Sequence, residues 1–540
     1  MIEVRALRAS RPAALSAVLA VLFLTFLDTT VVSVTLGDLE SDISAGVIPL
    51  QWVINAYALV FASLMLLGGM LADRLGRRRV MLAGIVVFAV GSVLCAVASS
   101  IGLVIGGRAV MGLGAAACEP GTLSVIRQLY PERGRRARAL GAWSAVSGLA
   151  LALGPVVGGL LVGADGWRSV FWFNLVVALV LLVAVALVVP ESRDPEPGAV
   201  DVAGVLLGAA GLGAIIFAAI SGEYEGYPTW WVVALFVAGG LCLVAFVPVE
   251  LRARTPMLDL RAVRTPIVSS SLFAAFAVYF GVFAIFFFTA LYLDIGLGYS
   301  GQRLAGMFAP MAVAIAVGGV VAGPWVARAG ARPPTVVGCV LGAAGMLLAR
   351  AELGAGSGLT FGLLALALAL AGLGFGITVV PLTSAVLTHI PARRSGMAAS
   401  ATNTARQLGA VVGVAALGAI VNSHLTAAVD KLDPFLLKFV GGRDKAISVL
   451  QTGGGGGGFD LKKLVRTEAF RPFVAEFLDG VRLALLVAVV LTLAAGAVAA
   501  LVREPAALPD DATLPDDATL PDDDALPDDD ALPDDEAVSP

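Results

Sequence analysis

The sequence predicts an all-α polytopic membrane protein, with fourteen transmembrane helices arranged as two six-helix bundles and two inserted central helices. Three observations predict it. The 540 residues are 58% hydrophobic and only 14% charged, with a mean hydropathy of +0.91, a composition that excludes a soluble globular chain. Apolar runs of spanning length fall near 13–36, 51–72, 80–99, 101–127, 138–162, 168–189, 202–221, 230–250, 267–293, 303–325, 334–351, 358–388, 398–422 and 481–502. A basic turn after the second run, Gly68-Gly69-Met70-Leu71-Ala72-Asp73-Arg74-Leu75-Gly76-Arg77-Arg78-Arg79, returns in weaker form after the tenth. There Gly323, Arg328, Gly330 and Arg332 repeat the spacing of Gly69, Arg74, Gly76 and Arg78, and Ala327 stands in the place of Asp73, as a duplicated chain would show.

Each segment follows from local chemistry. Residues 1–12 form a cytoplasmic N-terminus in which Arg5, Arg8 and Arg11 precede a run too long for a signal-peptide core. Arginines then cluster in alternate loops, at 74–79, 133–138, 193, 252–264, 328 with 332, and 393 with 394. The short loops between these hold almost none, so the positive-inside rule places both termini in the cytoplasm. If each signature turn follows the second helix of a half, 13–189 and 267–502 are the two bundles and 190–266 is a linker carrying the inserted pair. An external loop, 423–480, holds every lysine of the chain: Lys431, Lys438, Lys445, Lys462 and Lys463. Its stretches Phe435 to Val440 and Phe470 to Phe477 predict amphipathic helices or a hairpin on the outer face, or else a plain connector. Residues 503–540 repeat Leu-Pro-Asp-Asp at a period of six; proline bars a helix and the carboxylates repel, so a disordered acidic cytoplasmic tail, dispensable for transport, is expected.

Several chemistries are not expected. The net charge of −4 reflects the tail, and no nucleic-acid partner is expected. Cys95, Cys118, Cys242 and Cys339 lie in apolar runs and read as small hydrophobes. His389 and His424 stand far apart without ligand-spaced neighbours, so no metal site is expected. No catalytic group is proposed, and no phosphate loop ending in Gly-Lys-Ser/Thr occurs, so the chain needs no cofactor and an ion gradient must supply any energy.

Charges inside spans cost about 2.5–3.5 kcal/mol at a helix centre on insertion scales, so each is a functional candidate. Counting about 1.5 Å per residue puts Asp28 and Arg108 at similar depth on the outer side of the midplane, within an arginine's reach. Arg108, Gly112, Ala115 and Glu119 share one polar face of the fourth helix. Asp28, Arg108 and Glu119 are therefore the proton-coupling candidates; the alternatives are an ion pair that only locks helices, and for Glu119 a cap on backbone broken near Pro120. In the fifth helix Pro155 leaves a carbonyl unpaired while Gly154, Gly158 and Gly159 expose backbone, which suits bending and sliding or simple close packing. The ninth run is ringed by aromatics, among them Phe273, Phe276, Tyr279, Phe280 and Phe283, which face lipid or a flat substrate.

These motifs resemble the fourteen-span drug:proton antiporters of the major facilitator superfamily, the EmrB/QacA-like multidrug exporters. The match is carried by Leu27-Asp28-Thr29-Thr30-Val31-Val32, Gln51-Trp52-Val53, Tyr57, the 68–79 turn, Arg108 with Gly112, Gly154-Pro155-Val156-Val157-Gly158-Gly159, Gly166-Trp167-Arg168 with Asn174, and Arg406-Gln407-Leu408-Gly409. Ser33 and Gly37 depart from the family's usual Asn and Pro. The resemblance implies a proton-coupled antiporter in the plasma membrane, exporting amphipathic or cationic drugs or related metabolites by alternating access. It implies a conformational gate at Gly69, Asp73, Arg74, Gly76, Arg77 and Arg78, an exporter motif at Gly154, Pro155, Gly158 and Gly159, and a substrate cavity drawing on Tyr57, Phe276, Tyr279, Phe280, Phe283, Arg406 and Gln407. Membrane lipid and a small amphipathic molecule are the expected partners, with an accessory protein conceivable at loop 423–480 or the tail. Two rival readings stay open, a carrier of lipid or cell-envelope precursors and a membrane sensor or scaffold that moves nothing.

Overall fold

Because lipid offers no hydrogen bonds, each spanning segment must satisfy its own backbone, and every regular element among the described residues is helical. The computed structural model describes residues 10–43, 45, 47–194, 201–293, 301–354, 361–430 and 471–502. The spans are α1 (Arg11–Ile43, passing through a tight turn at Val32–Thr35), α2 (Val47–Leu75), α3 (Arg77–Ala96), α4 (Ile101–Leu129), α5 (Arg133–Asp165), α6 (Arg168–Val188), α7 (Val202–Glu225) and α8 (Trp230–Arg252). They continue with α9 (Pro266–Leu291), α10 (Gly301–Ala329), α11 (Arg332–Gly354), α12 (Phe361–His389), α13 (Ser395–Asp430) and α14 (Arg471–Leu501). Thirteen of these are each long and apolar enough to cross a membrane, and α5, bent by 40° after Leu151, makes the fourteenth. Ser10 caps α1 by accepting from the Ala13 N–H at 3.4 Å, and Asp201 caps α7 from Gly204 at 2.8 Å.

The described helices fall within one compact unit, Met1–Arg503. Their pairings repeat with a shift of eight. In the first half α2 and α3 pack on α4, α3 and α1 on α6, and α1 on α5; in the second α10 and α11 pack on α12, α11 and α9 on α14, and α9 on α13. Across the halves α2 packs on α13 and α10 on α5, again the same pair shifted by eight. Helices α7 and α8 pack on each other, and α7 also touches α2 and α13, so the inserted pair lies against both halves. Gly76 and Gly330 occupy equivalent turns, and both need a positive φ, 111° and 77°.

Three segments differ from the sequence expectation, the first being α1, which runs on through the turn at Val32–Thr35 to Ile43, past the expected end at 36. Helices α13 and α14 run past the expected ends into the 423–480 loop, because His424 and Glu476 meet at 3.2 Å and Phe477 and Leu478 are buried in the core. Residues 471–477 are thus the first turns of a span and not a separate surface helix. Residues 431–470, with all five lysines, and the 503–540 tail lie outside the described residues, as does the N-terminus before Ser10.

Candidate functional site

Four helices converge on Asp28, which is fully buried. Its Oδ2 accepts from Arg108 Nη1 at 2.5 Å and its Oδ1 from Asn174 Nδ2 at 2.7 Å. Arg108 also donates through Nε to the Val53 carbonyl at 3.0 Å, and its guanidinium lies 4.5 Å over the Tyr57 ring. Tyr57 in turn donates to the Thr25 carbonyl at 3.2 Å. The cluster therefore draws on α1, α2, α4 and α6. Both charges have left water, so removing one partner would strand the other at about 3–5 kcal/mol.

Glu119 does not join that pair. Eleven residues further along α4, about 16 Å by helical rise, it is 3% exposed and its Oε2 has no hydrogen-bond partner. The charge acting on it is Arg406 of α13, in the opposite half. Arg406 is held by Asn403 Oδ1 at 3.0 Å, by Thr383 Oγ1 and by the Val379 carbonyl at 3.4 Å, and its guanidinium sits 5.3 Å from the Trp143 ring and 5.5 Å from Tyr279. Trp143 Nε1 donates to Thr122 on α4 at 3.0 Å. The result is a charged, aromatic seam between the halves.

Of the expected cavity residues, Tyr279 and Arg406 lie on this seam, whereas Tyr57 belongs to the Asp28 cluster. Phe276 and Phe280 pack on each other at 6.2 Å and against Gly409 and Gly413 of α13. Phe283 is 37% exposed and Gln407 half-buried.

At the end of the bundle that carries the 68–79 turn, Asp73 acts as a cap supplied by another half. Its Oδ1 accepts from Gly396 N at 2.8 Å and its Oδ2 from Met397 N at 2.9 Å, two of the N–H groups that open α13. Arg77, fully buried, donates to Asp73 Oδ1 at 2.7 and 3.2 Å and to the carbonyls of Ala392 and Arg393 at 3.3 and 3.1 Å. A methyl group on Gly69 would lie 2.5 Å from the Gly396 carbonyl, so only glycine permits this approach. Arg74 donates to the Thr255 carbonyl at 3.4 Å, and Arg78 N to Glu191 Oε1 at 3.2 Å. Gly76 supplies the turn.

In α5 the proline has a visible effect. Pro155 cannot donate to the Leu151 carbonyl, and Thr30 of α1 does so at 3.1 Å. Gly154 and Gly158 pack on α1, at Thr30 and Val31, whereas a side chain at Gly159 would meet nothing within 4 Å. Among the described residues no group of three His, Cys, Asp or Glu converges to hold a metal.

Sequence reasoning missed several partners. Asn174 enters with the Gly166-Trp167-Arg168 motif but, being uncharged, not as a partner of Asp28, and the α13 amides are backbone, visible only as the Pro391-Ala392-Arg393-Arg394-Ser395 start of a helix. Asp259, which pairs with Arg394 at 2.7 Å, lay in a linker without a motif.

A family model of the Major Facilitator Superfamily matches residues 18–414. The chain is 31% identical over 409 residues to the multidrug resistance protein Stp of Mycobacterium tuberculosis, covering 76% of this chain and 75% of that one. It is 35% identical over 435 residues to a probable actinorhodin transporter of Streptomyces coelicolor, covering 78% and 75%. The crystal structure of the human organic anion transporter MFSD10 matches with a TM-score of 0.57 at 16% identity, over 82% of this chain and 97% of that one, which bears on fold alone. The duplicated helix pairing, the buried Asp28–Arg108 cluster and these matches converge: the chain is a multi-pass transporter, not an enzyme, and it belongs to the major facilitator superfamily.

Proposed function

We propose that the protein is a proton-coupled antiporter that exports amphipathic or cationic drugs or related metabolites across the plasma membrane, with both termini in the cytoplasm. Relatives named for multidrug resistance and for actinorhodin transport support the substrate class. The observation that carries the coupling is the buried Asp28–Arg108–Asn174 cluster. While Asp28 is ionised, Arg108 is neutralised and drawn to α1. A proton arriving on Asp28 cancels its charge, frees Arg108 to take other partners, and so ties the positions of α1, α4 and α6 to proton occupancy. The Asp73 cap on α13 holds the two halves together at the cytoplasmic face and must break for that face to open. Glu119, buried on the seam with Arg406 and with one oxygen unpartnered, is a second acid available to a molecule lodged between the halves. The energy comes from the proton gradient, without a cofactor.

Asp28→Asn should lower pH-gradient-driven efflux from vesicles by at least about tenfold, about 1.4 kcal/mol, while membrane abundance stays normal. Full gradient-driven transport by that variant would overturn the reading.

A further inference from the structure

The inserted pair α7–α8 has no counterpart in either six-helix half, and its acids at one end, half-buried Asp201 and buried Glu250, take no part in the coupling above. Asp201 uses Oδ1 to cap α7, and Glu250, 2% exposed near the end of α8, accepts from Leu258 N through Oε2 at 3.2 Å. The other oxygen of each, Asp201 Oδ2 and Glu250 Oε1, is buried without a hydrogen-bond partner. They meet at Gly204. A methyl group on that glycine would lie 2.5 Å from Glu250 Oε1 and 2.7 Å from Asp201 Oδ2, and the sum of those lengths caps the separation of the two oxygens at 5.2 Å.

The charges around this pair come from every side. Asp201 and Asp259 act on Glu250; Arg74 of α2 interacts with Asp201 and also with Asp194; Arg394, between α12 and α13, is engaged by Asp259 at 2.7 Å. Glu250 is buried and Asp201 half-buried, and two carboxylates this close repel if both are ionised.

We propose that Glu250, whose unpartnered oxygen lies within 5.2 Å of an Asp201 oxygen across Gly204, is a second proton site that reports cytoplasmic pH to the inner gate. The connection is a short chain of contacts. Glu250 holds Leu258; the next residue, Asp259, grips Arg394 through its carboxylate and Met397 Sδ through its N–H at 3.1 Å; and Met397 N is one of the two amides on Asp73. From the α2 side Arg74 holds the Thr255 carbonyl, and Met257 is buried against Leu66, Met70, Leu212 and Phe246. When the Glu250 proton passes to cytoplasmic water, its carboxylate faces that of Asp201 as a like charge. Their repulsion turns Glu250 away, releases Leu258, and loosens the 255–259 segment from Arg394 and Met397.

The inference rests on the gate reading of the preceding subsection, and the experiment separates the two. Spin labels at Leu75→Cys and Ala392→Cys, both exposed, would report gate opening in full-length protein whose four native cysteines are replaced by serine. Between about pH 6 and about pH 8 the long-distance population should rise several-fold in the parent protein. In Glu250→Gln, which stays neutral and keeps an oxygen for Leu258, it should remain at its low-pH level throughout, and Asp201→Asn should behave likewise. A Glu250→Gln protein that still follows the parent's pH curve overturns the proposal, as does a curve that moves with sodium at fixed pH. Asp73→Ala should raise the long-distance population at both pH values. If it does not, the gate reading fails first; if it does while Glu250→Gln tracks the parent, only the proton site fails.

Discussion

Arg108 shows how much one side chain can be asked to do inside a bilayer. It neutralises Asp28, takes the Val53 carbonyl and lies flat over Tyr57, three contacts on three other secondary-structure positions that only a planar fork can make together. Arg108→Lys keeps the charge but cannot keep this geometry. It should therefore depress efflux nearly as far as Arg108→Ala, about tenfold or more, and an intermediate rate for lysine would show that charge alone suffices. The meeting of Asp28 with Arg108 was readable from depth counting, because rise along a helix is fixed at about 1.5 Å per residue. The rotation of one helix about its axis relative to another is not written in that count. Asn174, Val53 and Tyr57 therefore entered the cluster only with the structure, and Glu119, on the same face of α4 as Arg108, turned out to answer to Arg406.

Within α5 the same limit applies to a whole motif. Its glycines and proline mark the helix plainly, yet the three glycines are not equivalent: Gly154 and Gly158 are buried on α1, and Gly159 looks outward. Gly158→Val would drive its branches into the Val31 backbone, and overpacking of that kind costs about 1–3 kcal/mol. Its melting temperature and efflux should both fall, while Gly159→Val should match the parent in both. Equal sensitivity at 158 and 159 would show that flexibility, and not packing against α1, is what the glycines provide. Element lengths were legible to within a few residues wherever lipid alone set them. They were not legible at α13 and α14, whose extra turns bury Phe477 and Leu478 and pair His424 with Glu476.

At the scale of the whole molecule, the contacts between the halves include two equivalent pairs, α2 on α13 and α10 on α5, and only the first has an acid at the signature position. Asp73 binds the amides of Gly396 and Met397 at the start of α13. In the other pair Ala327 faces Gly134, likewise the second residue of its helix, and a methyl group on that glycine would lie 3.8 Å from the Ala327 side chain. Ala327→Asp would supply the missing cap for about 0.5–2 kcal/mol. It should raise the melting temperature and slow turnover several-fold with little change in substrate affinity; unchanged turnover would mean that this edge never separates during the cycle. The lost acid then has a mechanical meaning. Of two matching edges one is bolted and the other lacks the bolt, so the mouth at the Asp73 end should open the way a door does, widening along α2 and α13 while α5 rolls against α10 as the hinge post.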